Sequence, residues 1–200
     1  MRYHLLATDY DGTLATDGHV DAATLDALNG ILATGRRLVL VTGRNLDELL
    51  AVHPSLEIFE RVVAENGALL YRPATKERRK LAEPPPPAFI AALRQRGVAP
   101  LDVGEVIVAT REPHEAVVLE TIRDLGLELQ VIFNKGAVMV LPTGVNKATG
   151  LTAALEELKI SPHNVVGVGD AENDHSFLKL CERSAAVGGA LPALRDTADL

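Results

Sequence analysis

The sequence predicts an α/β protein built on a doubly wound parallel sheet, with a small α/β unit inserted after the third strand. Short apolar runs with little alternation recur between stretches of helical periodicity, the pattern of strands covered by helices on both faces. Polar and charged residues collect where those runs end. The proline run Pro84-Pro85-Pro86-Pro87 and a second break at Pro142-Thr143-Gly144 bracket a segment that repeats the α/β pattern on a smaller scale. The implied division is a core of residues 1–82 and 142–200 and an insertion of residues 83–141.

The first strand is the apolar run Tyr3 to Ala7, with Asp9 at its end. Asp21 is placed to cap a helix carrying Leu25, Leu28 and Leu32, which Gly35 ends. Arg37 to Val41 reads as the second strand and runs into Thr42-Gly43-Arg44; Asn45 then caps a helix with Leu46, Leu49 and Leu50 inward. The third strand, Arg61 to Ala64, leads to Glu65-Asn66-Gly67. The prolines can be neither helix nor central strand and read as a stiff extended link. Beyond them the pattern gives a helix (Ala88 to Arg96), a strand (Val106 to Ala109) and a helix (His114 to Leu125). Two strands (Leu129 to Phe133, Ala137 to Leu141) follow, joined around Asn134-Lys135-Gly136. The core resumes with a fourth strand, Asn164 to Val168, ending in Gly169-Asp170, and a fifth from Ser184 to Val187.

At 200 residues with 47% hydrophobic side chains, the chain has material for one domain with an insertion and for a real core. No apolar run is long enough to cross a bilayer, and a net charge of −7 without basic–aromatic runs speaks against nucleic acid or an anionic membrane as partner. Cys181 is the sole cysteine, so no internal disulfide forms, and the start lacks the apolar run of a secretory signal. The cytoplasm is the expected compartment. Gly167-Val168-Gly169 suggests a dinucleotide fingerprint, but Glu172 stands where its third glycine belongs, and no P-loop run exists. The six histidines show no metal-ligand pairing; only His175, beside Asp174, lies near a strand-end motif.

In such sheets ligands bind outside the carboxyl ends of the strands, so those ends should form one site. Asp9-Tyr10-Asp11 places two carboxylates two positions apart there, a pattern that taken alone also fits a solvated turn. Its company gives it weight: Thr42-Gly43 at the next strand end, Lys147 opening a later helix, and Gly169-Asp170-Ala171-Glu172-Asn173-Asp174 after the fourth strand. Taken in order, these four pieces resemble the motifs of the haloacid dehalogenase superfamily. Glu65-Asn66-Gly67-Ala68 and an insertion after the third strand resemble its Cof-type branch, where that insertion is a cap domain.

The resemblance implies an Mg²⁺-dependent phosphatase with Asp9 as nucleophile, and the chemistry is coherent. A carboxylate is anionic at neutral pH, attacks without a base and leaves again from an acyl phosphate. At ~4 Å and an effective dielectric of about 20, each pair of like charges costs roughly 4 kcal/mol, so attack on a dianion demands positive charge. The resemblance assigns the metal to Asp9, the main-chain carbonyl of Asp11, and Asp170, with Asp174 orienting a metal-bound water. Lys147 supplies further charge, Asp11 serves as acid and base, and Thr42 and the Gly43 amide donate to phosphoryl oxygens. Asn66 and Asn173 are further candidate contacts, or stabilise their own loops. Arg44 is expected to pair with Asp47 or Glu48 rather than reach a substrate anion, and Cys181 to be a core residue of the final helix.

A short cap of this kind implies small phosphorylated metabolites, either sugar phosphates or phosphoglycolate-like monoesters, with Arg111, His114 and Lys135 as candidate contacts. The alternatives are a phosphomutase or phosphotransferase on the same scaffold, and a non-catalytic binding domain. Asp at position 11, where ion-pumping relatives carry threonine, favours rapid dephosphorylation. Gly188-Gly189-Ala190 departs from relatives that carry an asparagine before the alanine. The given chain reaches Leu200 where relatives continue into another strand and helix, so an unprotected edge strand is expected, and with it a monomer or homodimer.

Overall fold

The computed structural model describes residues 2–53 and 56–200. Its strands are β1 (Leu5–Thr8), β2 (Ala15–Thr16), β3 (His19–Val20), β4 (Arg37–Val41), β5 (Arg61–Ala64), β6 (Leu69–Arg72), β7 (Glu77–Lys80), β8 (Asp102–Val103), β9 (Val108–Arg111), β10 (Leu129–Asn134), β11 (Ala137–Pro142), β12 (Val165–Gly169) and β13 (Arg183–Ala186). Its α-helices are α1 (Ala22–Ala33), α2 (Leu46–Val52), α3 (Pro87–Gln95), α4 (Glu115–Asp124), α5 (Lys147–Leu158), α6 (His175–Leu180) and α7 (Pro192–Arg195).

The main sheet runs β13-β12-β1-β4-β5-β6-β7. The first five are parallel, and β6 and β7 extend the edge as an antiparallel hairpin. Successive residues of a strand face opposite sides, so a continuous apolar run serves two cores. In β4, Leu38 and Leu40 pack with α1 and α2, while Val39 and Val41 pack with α5 and α6. The caps expected at Asp21 and Asn45 are present: each side chain accepts a backbone N–H of its helix, from Thr24 and Asp47.

A second, four-stranded antiparallel sheet runs β10-β11-β9-β8. Val138 and Val140 of β11 pack against α3 and α4, and the alternate Met139 and Leu141 face Ala68 of the main body. This places the sheet over the strand tips of the core. Glu65 fixes it there. Its buried carboxylate accepts the backbone N–H groups of Glu105, Val106 and Ile107 at 2.8, 2.7 and 2.9 Å. Glu65→Ala leaves those donors without a partner and is expected to cost about 3 kcal/mol. The checks are a urea transition and faster amide exchange at residues 105–107; protected amides in the variant would mean that this staple does not hold the sheet.

Several expectations need correction. The hairpin β6–β7 and the short β8 add to the expected strands, and the strand expected at Val106 to Ala109 is shifted to Val108–Arg111, because the amides of Val106 and Ile107 belong to Glu65. Pro87 is not link but the first residue of α3, where its missing N–H costs nothing. The β13 edge is not open: Ala186 N–H donates to the Leu200 carbonyl, and the Asp199 and Leu200 amides donate to Ser184 O. Cys181 follows α6 rather than the final helix, donating its thiol to the Phe177 carbonyl. No described helix is long and apolar enough to cross a membrane.

Candidate active site

Four of the five parallel strands, β1, β4, β5 and β12, end by delivering a polar side chain to the same edge of the sheet: Asp9, Thr42, Glu65 and Asp170. The register Ala7↔Gly167 and Thr8↔Val168 sets β1 and β12 side by side, so Asp9 and Asp170 emerge as neighbours. α5 brings Lys147 up to them. Asn146 caps that helix by accepting the amides of Ala148 and Thr149, which puts Lys147 at its first position. The approach is close, since a Cβ on Gly67 would fall 1.9 Å from the Asn146 carbonyl oxygen, and one on Gly150 would fall 2.6 Å from the Gly67 Cα. Gly67→Ala, which also strains a φ of +104°, is therefore expected to lower stability by about 3 kcal/mol. An unchanged urea midpoint would mean that the helix need not sit so near.

Lys147 is 1% exposed, and its Nζ donates to Asp9 Oδ1 and Asp174 Oδ1, each at 2.5 Å. Desolvation works against the ammonium, but the two carboxylates outweigh it and raise its pKa. Burial pushes the Asp9 carboxyl up to about 7, with Lys147 pulling the other way. Asp174 is wholly buried, and its other oxygen accepts the amides of Asp170 and Ala171 at 2.8 and 3.0 Å, fixing the turn that carries Asp170. Thr13 donates to Asp170 Oδ1 at 3.4 Å, and Lys135, from the tip of the β10–β11 hairpin, donates to Oδ2 at 2.5 Å.

A cleft of about 680 Å³ between the two sheets is lined by Asp9, Asp11, Gly43, Lys147, Asp170 and Asn173. That volume suits a small metabolite. Thr42, Asn66 and Asp174 are buried behind this lining. The Thr42 hydroxyl accepts the Arg44 amide at 3.1 Å, and Asn173 Nδ2 donates to Asn66 Oδ1 at 3.0 Å. Asn66 Nδ2 and Asn173 Oδ1 are left as buried polar atoms without a partner, so each amide keeps a hydrogen-bonding position unused.

Arg44 contradicts its expected pairing. It grips Asp11 bidentately at 2.6 and 2.7 Å rather than Asp47 or Glu48. The Asp11 side chain is thereby held by Arg44 and is not part of the Asp9–Asp170–Asp174 group, which leaves its main chain as the candidate for that group. Sequence spacing gave no sign of the pair, because Asp11 and Arg44 leave different strands. His114 turns instead to the Ala99 carbonyl, 2.9 Å from Nε2, and His175 lines a separate groove with Cys181. Burial pushes the Cys181 thiol up to about 12, as suits a packing residue.

Asp9, Asp170 and Asp174 each offer an oxygen, all within 4.8 Å of one another. Hard oxygen donors with this much clustered negative charge fit a divalent cation. No serine, cysteine or histidine lines the cleft among the described residues, and its charged lining consists of Asp9, Asp11, Glu48, Asp102 and Asp170 with Arg44, Arg111 and Lys147.

That combination of fold and cleft fits a hydrolase that works through carboxylates. The profile of the haloacid dehalogenase-like hydrolases matches residues 6–98 and 99–200; the chain belongs to that family, in its Cof-type branch, and is a phosphatase. It is 33% identical over 205 residues to a phosphoglycolate phosphatase of Halorubrum lacusprofundi, covering 98% of this chain and 88% of that one. Its fold is similar to that of a haloacid dehalogenase-like hydrolase from Bacteroides thetaiotaomicron, with TM-score 0.80, 20% identity and coverage of 98% and 92%. It is also similar to a subclass IIB sugar phosphatase of the same superfamily, with TM-score 0.80, 19% identity and coverage of 98% and 91%.

Proposed function

We propose that the protein is an Mg²⁺-dependent phosphatase of small phosphorylated metabolites, with phosphoglycolate-like monoesters as the leading substrates, acting through an aspartyl phosphate on Asp9. The observation that carries this is the meeting of Asp9, Lys147 and Asp170 in one cleft of metabolite size. Residues 83–141 serve as the cap that excludes water and selects the leaving group.

Asp9 and Asp170, with the Asp11 main-chain carbonyl, would hold the cation, and Asp174 would steady Asp170 and Lys147. When bound, the cation supplies charge neutralisation between the nucleophile and the phosphate dianion. Asp9 then attacks phosphorus, the bond to the leaving oxygen breaks, and Asp11 gives that oxygen its proton. Water attacks the aspartyl phosphate, Asp11 takes the proton back, and inorganic phosphate departs. In the structure Asp11 is tied to Arg44, the arrangement of a carboxylate base. Its turn as acid requires that pair to part, which frees the Arg44 guanidinium for the incoming anion. Thr42, the Gly43 amide, Asn66, Lys147 and Asn173 bind the phosphoryl oxygens.

The test is hydrolysis of p-nitrophenyl phosphate and a metabolite panel with and without Mg²⁺. Metal-dependent release of phosphate supports the reading. Transfer to a second metabolite without release would favour the phosphomutase alternative, and inertness toward every ester would favour a binding domain.

A further inference from the structure

Among the charged pairs of the cleft, one bridges the two sheets. Lys147 and Arg44 come from the same body as the carboxylates they hold, whereas Lys135 reaches Asp170 from the tip of β10–β11. That tip is well defined. The register Asn134↔Ala137 leaves a two-residue turn, with positive φ at both Lys135 (46°) and Gly136 (79°). Strand β10, which leads into it, packs on the short 3₁₀ turn Glu172–Asp174 that follows Asp170. The backbone thus aims Lys135 at this carboxylate.

Accessibility separates the two lysines. Lys147 is 1% exposed and locked between two carboxylates, but the Lys135 side chain is 50% exposed and has a single acidic partner, whose own side chain is 4% exposed. A Cβ on Gly12 would fall 2.2 Å from Asp170 Oδ2 and 3.0 Å from the Lys135 ammonium, so that ammonium stands over the backbone next to Asp11. Asp170 is buried and needs a positive partner at all times; Lys135 is free to leave.

We propose, resting on the phosphatase reading above, that Lys135 is an exchangeable cation: it neutralises Asp170 until a divalent ion takes that carboxylate, and it then turns to a second anionic group on the substrate. Arg111 of β9 lines the cleft from the same sheet, and Lys135 reaches the cleft residue Asp170 from that sheet's hairpin tip, so this sheet brings two cations to the cleft or its margin. The substrate class this selects is the phosphate monoester of a short hydroxy acid, whose carboxylate pairs with Lys135, over a neutral sugar phosphate. Lys135 would be a specificity-determining residue that also couples metal loading to substrate choice.

The experiment has two arms on the full chain. In the first, Mn²⁺ alone is titrated into wild type, Lys135→Met, Lys135→Arg and Asp170→Asn, with free ion read by electron paramagnetic resonance. Removing the competing ammonium is expected to tighten Mn²⁺ binding about five- to tenfold in Lys135→Met, while Lys135→Arg stays near wild type and Asp170→Asn binds weakly. Equal affinity in wild type and Lys135→Met, or undiminished binding by Asp170→Asn, would overturn the exchange. In the second arm, steady-state kinetics at saturating Mg²⁺ compare 2-phosphoglycolate with p-nitrophenyl phosphate. Lys135→Met is expected to raise KM for the carboxylated ester roughly tenfold, with a several-fold smaller change on the aryl ester and recovery in Lys135→Arg. Equal shifts on both esters would overturn the specificity role. If wild type hydrolyses neither ester, the phosphatase reading and the specificity role fall together, while the Mn²⁺ arm still decides whether Lys135 and the metal share Asp170.

Discussion

Asp9→Asn is expected to remove phosphatase activity by about 10⁴-fold or more while leaving the protein folded, since losing a nucleophile forfeits the covalent route and keeps only binding and electrostatics. The amide has nearly the shape of the carboxyl and fills the same buried position. Lys147 keeps Asp174 as counter-charge at 2.5 Å, so no buried ammonium is stranded. Burial already disfavours the Asp9 anion. A neutral residue there should therefore match or exceed wild-type stability, as expected where function asks for a costly charge. Hydrolysis of p-nitrophenyl phosphate with Mg²⁺ measures the first half, and a urea transition the second. Activity within about tenfold of wild type would remove Asp9 as nucleophile. A large drop in stability would mean that the lost activity reports unfolding instead.

What the sequence disclosed follows from how locally each feature is encoded. The central strands were legible because both faces are buried, as Leu38 to Val41 illustrate, and the helix starts because Asp21 and Asn45 cap through their own neighbours. Asp9, Lys147 and Asp170 could be placed at one edge from topology alone, since parallel strands point their carboxyl ends the same way. The pairings made between remote segments were not legible. Arg44 with Asp11, Lys135 with Asp170 and Glu65 with the 105–107 amides join segments 33, 35 and about 40 residues apart, and nothing in local spacing distinguishes them from solvated charges. The hairpin β6–β7 escaped for a different reason. The exposed Glu77-Arg78-Arg79-Lys80 carries the charged signature of a loop, yet it forms a strand because it is the sheet's outer edge, where charge discourages further pairing.

Lys147→Met should be damaging twice over. Methionine fits the volume, but it leaves Asp9 and Asp174 buried and facing each other without the ammonium that each contacts at 2.5 Å. Breaking a buried charge arrangement by deleting one partner typically costs about 3–5 kcal/mol, more than most single substitutions in a domain of this size. Activity should fall by about 10³-fold, because the charge that steadies both the nucleophile and the transferring phosphoryl group is gone. The pH dependence tells this loss apart from poor packing. Asp9 already has its folded pKa raised by burial to about 7, above the unfolded value of 3.8, and losing Lys147 raises it further. An acid that binds its proton more tightly in the folded state contributes stability below the folded pKa and loses it as pH rises through that value. The deficit of Lys147→Met relative to wild type should therefore shrink between about pH 8 and pH 6, as Asp9 takes up a proton and no longer demands a counter-charge. Paired urea transitions at the two pH values measure this. A deficit independent of pH would assign the damage to packing around Phe177, whose ring lies 5.8 Å from the Lys147 ammonium, rather than to unpaired carboxylates.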